Sequence, residues 1–252
     1  MVILPRARIL VTAALIAAAG SVPAAAEPAA ASPARPVLVE LFTSQGCSSC
    51  PPADRLLGEL AARDDVLALS FNITYWDYLG WRDTLGREEH TARQEAYAVR
   101  FRDRKYTPQM VIDGTTHVPG NRGAAVRAAI DARRGAAPAR PAVTFEPRGG
   151  GLHLDAPAAG AGTATVWLIR YDTRHEVEIS RGENAGETVA YANVVRDIAA
   201  LAEWDMASPL ALDIPAQAMR ADGHDGAAVV VQQDGVGPVI AVARLPVADR
   251  DE

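Results

Sequence analysis

The chain has 252 residues, 49% of them hydrophobic and 22% charged, with a formal net charge of −6. That is ordinary globular composition, long enough for one large or two modest domains and neither disordered nor fibrous. An acidic balance with no dense Lys/Arg run lacks the basic patch that nucleic acid or an anionic membrane surface demands, so neither is expected as a partner.

The chain opens with Arg6 and Arg8, runs apolar from Ile9 to Gly20, and reaches the small residues Val22-Pro23-Ala24-Ala25-Ala26. This pattern predicts a secretory signal peptide over residues 1–26 and a periplasmic or secreted mature protein. The apolar run is shorter than the roughly 18 to 20 residues needed to cross a bilayer, and no later segment is long and charge-free enough, so no membrane span is expected. No cysteine lies near the expected cleavage region, which argues against a lipid anchor. Residues 27–36, with Pro28, Pro33 and Pro36, read as an Ala/Pro-rich leader outside the fold.

The two cysteines stand together as Cys47-Ser48-Ser49-Cys50. In an oxidising compartment they pair with each other or with a partner. A purely stabilising disulfide would be poorly placed, because a four-residue ring contributes about 2 kcal/mol in the loop-entropy model against about 4.7 kcal/mol for a 100-residue loop. A Cu(I) site is a second reading, since two thiolates suit a soft metal; zinc would need two further ligands, and no second C-x-x-C supplies them. Redox exchange is the third, and the surrounding residues favour it.

Val37-Leu38-Val39-Glu40-Leu41-Phe42 is a buried-strand run, followed by a polar loop and the cysteines. Ala53, Leu56, Leu57 and Leu60 then fall at helical spacing, and Pro51-Pro52 fit the first turn of that helix. Cys47 is thus expected at a helix N-terminus, where the helix dipole favours a thiolate and makes it the attacking sulfur, with Cys50 buried one turn inward as the resolving thiol. Residues 66–73 read as a second strand, 87–102 as a helix, and 106–114 as a strand closing on an Asp-Gly turn. Thr115 to Val118 would pair behind it, and Asn121 would cap a helix carrying Val126, Ala129 and Ile130 on one face.

Strand, C-x-x-C at the start of a helix, strand, helix, then a strand opening on proline is the order of the thioredoxin fold, and Thr107-Pro108 resembles the cis-proline step that faces the cysteines there. The residues Phe42 to Asp54, Tyr75-Trp76-Asp77-Tyr78-Leu79-Gly80-Trp81, Tyr106-Thr107-Pro108-Gln109, Gly182 to Gly186 and Tyr191 to Arg196 resemble more closely a family of secreted bacterial proteins known as domain of unknown function 1223. That resemblance implies a thioredoxin-like domain with a C-x-x-C and no assigned substrate. Two departures from ordinary thioredoxins are Gly46 where an aromatic residue precedes the first cysteine, and Ser48-Ser49 where Gly-Pro separates the pair. Glu40 resembles the buried carboxylate on the strand before the motif, although it lies seven residues before Cys47 rather than six. Either it takes the proton of Cys50, or it is a strand-end carboxylate facing water.

Four of the ten Trp and Tyr residues crowd into Tyr75 to Trp81. Tyr75, Trp76 and Trp81, with Thr107 and Pro108, are the candidate substrate-binding residues; the other reading is a packed insertion. Asp77 would place charge near Cys47 and oppose thiolate formation. The five histidines have no i, i+4 partner, so a zinc hydrolase is not expected, although His117 with the cysteines keeps the copper reading open. No phosphate-cradling glycine loop or G-x-S-x-G nucleophile motif is present, and no cofactor is implied.

Composition shifts at Gly135 to Pro141, the expected boundary between a thioredoxin-like domain (37–137) and a second domain (138–252). Eight strand-like segments follow, at 141–146, 151–155, 163–171, 175–180, 188–195, 209–214, 227–233 and 236–243, with an Asp234-Gly235 hairpin. Glu183-Asn184 and Asn193 to Arg196 read as turn and solvated strand residues without chemistry. The expected fold is therefore an α/β thioredoxin-like domain followed by an all-β sandwich-like domain. The expected function is thiol-disulfide oxidoreductase chemistry through Cys47, Cys50 and Glu40, acting on protein or small thiols or disulfides together with a redox partner. The alternatives are a Cu(I)-binding module and a partner-binding protein with an inert disulfide. Nothing in the sequence sets the substrate, the direction of exchange or the oligomeric state.

Overall fold

The structure is a computed structural model that describes Met1 and residues 35–135, 142–220 and 223–245. The expected signal peptide beyond Met1, the leader up to residue 34 and most of the expected domain boundary lie outside the described residues. From residue 35 onward the described chain belongs to one compact unit.

Two apolar runs form β1 (Val37–Thr43) and β2 (Val66–Asn72), parallel neighbours buried at every residue. Between them, α1 (Pro51–Ala61) buries the predicted face of Ala53, Leu56, Leu57 and Leu60, and carries both prolines in its first turn. The helix α2 (Glu88–Phe101) falls inside the expected span and ends at Arg102, which turns left-handed with φ 54°. Antiparallel β3 (Gln109–Ile112) and β4 (Thr116–Pro119) flank the Asp113-Gly114 turn. The helix α3 (Gly123–Arg134) buries Val126 and Ile130 but starts from Arg122 with no side-chain cap, so Asn121 does not fill the expected role. The Thr107-Pro108 bond is cis.

The remaining strands are β5 (Thr144–Arg148), β6 (Gly151–Ala156), β7 (Thr163–Glu178), β8 (Thr188–Asp205), β9 (Leu210–Ile214), β10 (Gly226–Gln233) and β11 (Val239–Leu245). Strands hold 43% of the structure and helices 22%. One eight-stranded mixed sheet runs β11-β10-β7-β8-β2-β1-β3-β4, and a three-stranded sheet runs β5-β6-β9. The expected α/β thioredoxin-like domain with a separate β-sandwich behind it is therefore incorrect: strands from both halves of the sequence lie in a single sheet.

The join between the halves has a local cause. β8 meets β2 at Ser70 and Val194, and Asn193, left-handed at φ 47°, donates its Nδ2 to the Ala68 carbonyl at 2.8 Å. Asn193 is thus a sheet-joining residue rather than the solvated one expected from sequence. Across this join a common core forms, with Leu38, Phe42 and Phe71 packed in the same cluster as Ile169, Val195 and Val230. The sheet also curls, so that β11 returns to the β3–β4 turn: the Val239 amide donates to the Asp113 carbonyl at 2.9 Å, and Arg35 spans the Asp113 carboxylate and the Val239 carbonyl. Gly114, at φ 62°, lies so close to this return that a β-carbon there would sit 2.0 Å from the Gly237 carbonyl oxygen. The small sheet covers the far end of the large one, with Leu152, Leu154 and Ile214 packed among Val166, Val229 and Ile240.

Candidate functional site

Cys47 and Cys50 form a disulfide with a Cα–Cα distance of 5.4 Å. Cys50 is itself the N-cap of α1, and Cys47 lies in the turn before it, where its carbonyl accepts the Cys50 amide at 3.1 Å. The helix terminus is therefore closer to Cys50 than the sequence reading placed it. Cys50 is fully buried and Cys47 is 4% exposed, while Ser48 and Ser49 between them are exposed. An incoming sulfur would thus reach the pair on the Cys47 side, past Ser49, whose Oγ lies 3.5 Å from the Cys47 sulfur.

Two distant segments hold this loop in place. The first is the stretch after β2, which contains a short 3₁₀ turn at Asp77–Leu79. From it Asp83, buried, accepts the Gln45 amide at 2.8 Å, and Trp81 donates its indole N–H to the Gln45 side chain at 2.7 Å. The second is the tip of the β7–β8 hairpin, where buried Asn184 donates to the carbonyls of Gln45 (2.8 Å) and Cys47 (3.0 Å). Sequence reasoning missed Asn184. Its signal was present in the quoted Gly182 to Gly186 segment, but the partners lie about 140 residues away, as the separations of 139 and 137 show.

The Thr107-Pro108 step is brought to the same place. A β-carbon on Gly46 would press on Trp76 at 3.1 Å, and the Trp76 indole donates to Thr107 Oγ1 at 2.7 Å. A β-carbon on Gly120 would touch both Ala53 of α1 (3.0 Å) and Pro108 (3.3 Å). The chain of contacts Cys47, Gly46, Trp76, Thr107 and Pro108 therefore closes back on the first turn of α1. Gly46, the departure from ordinary thioredoxins noted in the sequence, leaves room for Trp76, whose Cβ and carbonyl oxygen would lie 3.1 and 3.2 Å from a side chain there. Tyr75 and Trp81 are half-buried, the latter against Gly182, while Tyr78 is 76% exposed and stacks on Trp76 with ring centroids 6.2 Å apart. Asp77 accepts the Asp83 amide at 3.0 Å and so serves its own loop.

Glu40 is not part of this assembly. Along β1, Val37, Val39 and Leu41 face α1, so by strand alternation Glu40 faces the opposite side with Leu38 and Phe42. There, fully buried, it pairs with Arg93 Nε of α2 at 2.6 Å and accepts the Tyr97 hydroxyl. It neither faces water nor can exchange a proton with Cys50 through the sheet. His117 lies on that same far face, its ring tilted against Phe101 with centroids 4.7 Å apart and bonded to the Tyr106 hydroxyl at 2.9 Å, and so is no third ligand for the cysteines. Among the described residues no group of three or more His, Cys, Asp or Glu side chains is arranged to hold a metal ion.

The carboxyl group that does accompany the cysteines is Asp54. Its amide donates to the Cys50 carbonyl at 3.1 Å, which places the two side chains one turn apart on one helix face. Asp54 is 2% exposed and its Oδ1 accepts Thr43 Oγ1 at 2.8 Å, while Oδ2 has no hydrogen-bond partner among the described residues. Burial, offset in part by the Thr43 hydrogen bond and reinforced by the Asp83 charge, pushes its pKa up to about 8. The same burial raises Asp83 above the usual carboxylate range.

The fold and site thus define a mostly-β chain whose disulfide opens a helix and is held by a hairpin from the second half. The chain belongs to the family described as Protein of unknown function (DUF1223), whose pattern matches residues 38–232. A crystal structure of a protein from Agrobacterium tumefaciens is similar to it, with 30% identity and a TM-score of 0.70 over 88% of this chain and 99% of that one. HBP35 of Porphyromonas gingivalis is more distant, at 12% identity and a TM-score of 0.47 over 86% of this chain and 76% of that one. No curated protein matches the chain.

Proposed function

We propose that this chain exchanges disulfides with protein thiols through Cys47 and Cys50, in the periplasm or outside the cell, after removal of residues 1–26. The observation that carries this reading is the Cys47–Cys50 disulfide at the start of α1, flanked by Trp76, Thr107 and Pro108. A substrate thiolate attacks the Cys47 sulfur, the Cys47–Cys50 bond breaks, and its electron pair passes to Cys50. A second substrate thiolate then attacks the mixed disulfide, leaving an oxidised substrate and a reduced pair. Run backwards, the same steps reduce a substrate disulfide at the expense of the dithiol, which a thiol-disulfide redox partner restores.

The test is Cys50→Ser in the full chain. This variant is expected to accumulate partners in mixed disulfide with Cys47, visible as bands that a reductant removes, and Cys47→Ser should show none. Recovery of no adduct above that blank would contradict the reading. A second reading draws on the burial of both cysteines: the bond is inert and the loop serves partner binding. It predicts no adduct and a strongly reducing potential.

A further inference from the structure

The exchange proposed above leaves one charge unaccounted for. When the disulfide opens, the electron pair arrives on Cys50, which is fully buried. A buried thiolate without a proton or partner is costly, so a proton must reach that sulfur as it forms.

Asp54 is placed to supply it, sharing a helix face with Cys50 one turn on, and its Oδ2 has no hydrogen-bond partner among the described residues. A cavity of about 300 Å³ lies between α1 and the middle of the β7–β8 pair, lined by Asp54, Arg55, Gly58, Arg174, Tyr191 and Ala192. Arg55 and Arg174 are exposed, which gives this cavity a border with solvent. It has room for water, and the substrate contacts Trp76, Thr107 and Pro108 are not among the residues lining it.

We propose that Asp54 exchanges the Cys50 proton with solvent, giving it to the sulfur as the disulfide opens and recovering it as the disulfide closes, with the cavity between α1 and the β7–β8 pair as the route to water. This rests on the exchange reading. The step balances: the substrate thiolate forms a bond to the Cys47 sulfur, the Cys47–Cys50 bond breaks, its electron pair takes the Asp54 proton, and the resulting carboxylate is reprotonated by water through the cavity. The titratable and charged groups that face Asp54 are Asp83 from the loop after β2, Tyr191 of β8, Arg174 of β7 and Arg55 of its own helix. Burial holds Asp54 protonated to about pH 8, so at neutral pH it carries the proton that the Cys50 sulfur needs.

The experiment is the rate at which dithiothreitol opens the disulfide in the full chain between about pH 6 and 10, divided by the thiolate concentration at each pH. The wild type should hold a constant rate and then lose it above about pH 8 as Asp54 ionises. Asp54→Asn should be slower at pH 7 by about 10²-fold, the low end for loss of a general acid, and should lose the inflection. Equal rates and profiles for the two proteins overturn the role of Asp54 and leave disulfide exchange standing. A wild-type disulfide that opens at no pH overturns the exchange reading and the Asp54 role together. A second readout needs no variant: a wild-type rate per thiolate that stays constant through about pH 10 contradicts the proposal, because Asp54 ionises within that range.

Discussion

Replacing Arg93 by Met is expected to cost about 3–5 kcal/mol of folding stability, because it strands a buried carboxylate. Glu40 lies at the centre of the joined core with no exposure, and its two oxygens are taken by Arg93 and Tyr97. Arg93 also reaches Gln232 of β10 at 2.8 Å, and Gln232 donates on to the Tyr97 hydroxyl at 2.9 Å. The network therefore ties β1 and α2 of the first half to β10 of the second. Burial works to lower the Arg93 pKa, but Glu40 and Tyr97 outweigh it and hold the guanidinium charged. Arg93→Met removes the cation and leaves the anion, which is the costly half of a broken buried pair. Glu40→Gln combined with Arg93→Met removes both charges and should lose much less, since buried pairs replaced together are often near neutral. Urea unfolding of the wild type, Arg93→Met and the double variant checks this; an Arg93→Met loss below about 1 kcal/mol would show that the pair does not hold the halves together.

Asp54→Asn should do the reverse and stabilise the protein, by an amount that grows with pH. The folded carboxyl titrates at about 8 against 3.8 for the ordinary group, so between those values the folded chain holds a proton that the unfolded chain has released. Stability contributed by this proton is fully present below about pH 4 and is lost as pH rises to about 8. The displacement corresponds to about 6 kcal/mol at 1.36 kcal/mol per pH decade. Asparagine stays neutral in both states and avoids that loss. The variant should therefore match the wild type near pH 4 and exceed it by several kcal/mol at pH 9, and a difference that does not change between the two would contradict the burial of an ionisable Asp54. Together with slower disulfide opening, this makes Asp54→Asn a variant that gains stability while losing exchange, as expected where strain is kept for chemistry.

Local pattern made part of this structure legible. The helical spacing of Ala53, Leu56, Leu57 and Leu60, the apolar runs of β1 and β2, and the Asp113-Gly114 and Asp234-Gly235 turns are statements about neighbours in sequence, and each is found where expected. The single long β7 was read as two strands because Asp172-Thr173-Arg174 has turn composition; its pairing with β8, continuing through Arg174 and Ala192, overrides that preference. Residues 196–205 of β8 alternate too weakly to be recognised, and the contact of β8 with β2 depends on Asn193 finding Ala68, 125 residues away. Such pairing is set by the fold rather than by local propensity, and missing it split one sheet into two domains.

The site shows the same division. Cys47, Cys50, Trp76, Thr107 and Pro108 announce themselves by type and spacing. Glu40 resembled a proton acceptor because a lone acid in an apolar strand stands out, yet its face of β1 and its partner Arg93, 53 residues on, were invisible from the strand alone. Asp54 carried a readable signal: it stands four residues after Cys50, on one helix face with it. What the sequence could not supply was its burial under Tyr191 and the hairpin, which turns a surface-type residue into a titrating group inside the protein.

The central claim is that the Cys47–Cys50 bond exchanges rather than staples, and its reduction potential in the full-length mature chain, equilibrated against glutathione buffers, tests it most directly. The account predicts a value between about −120 and −270 mV, the range of working thiol-disulfide proteins; a value below about −300 mV would identify an inert structural bond and contradict it.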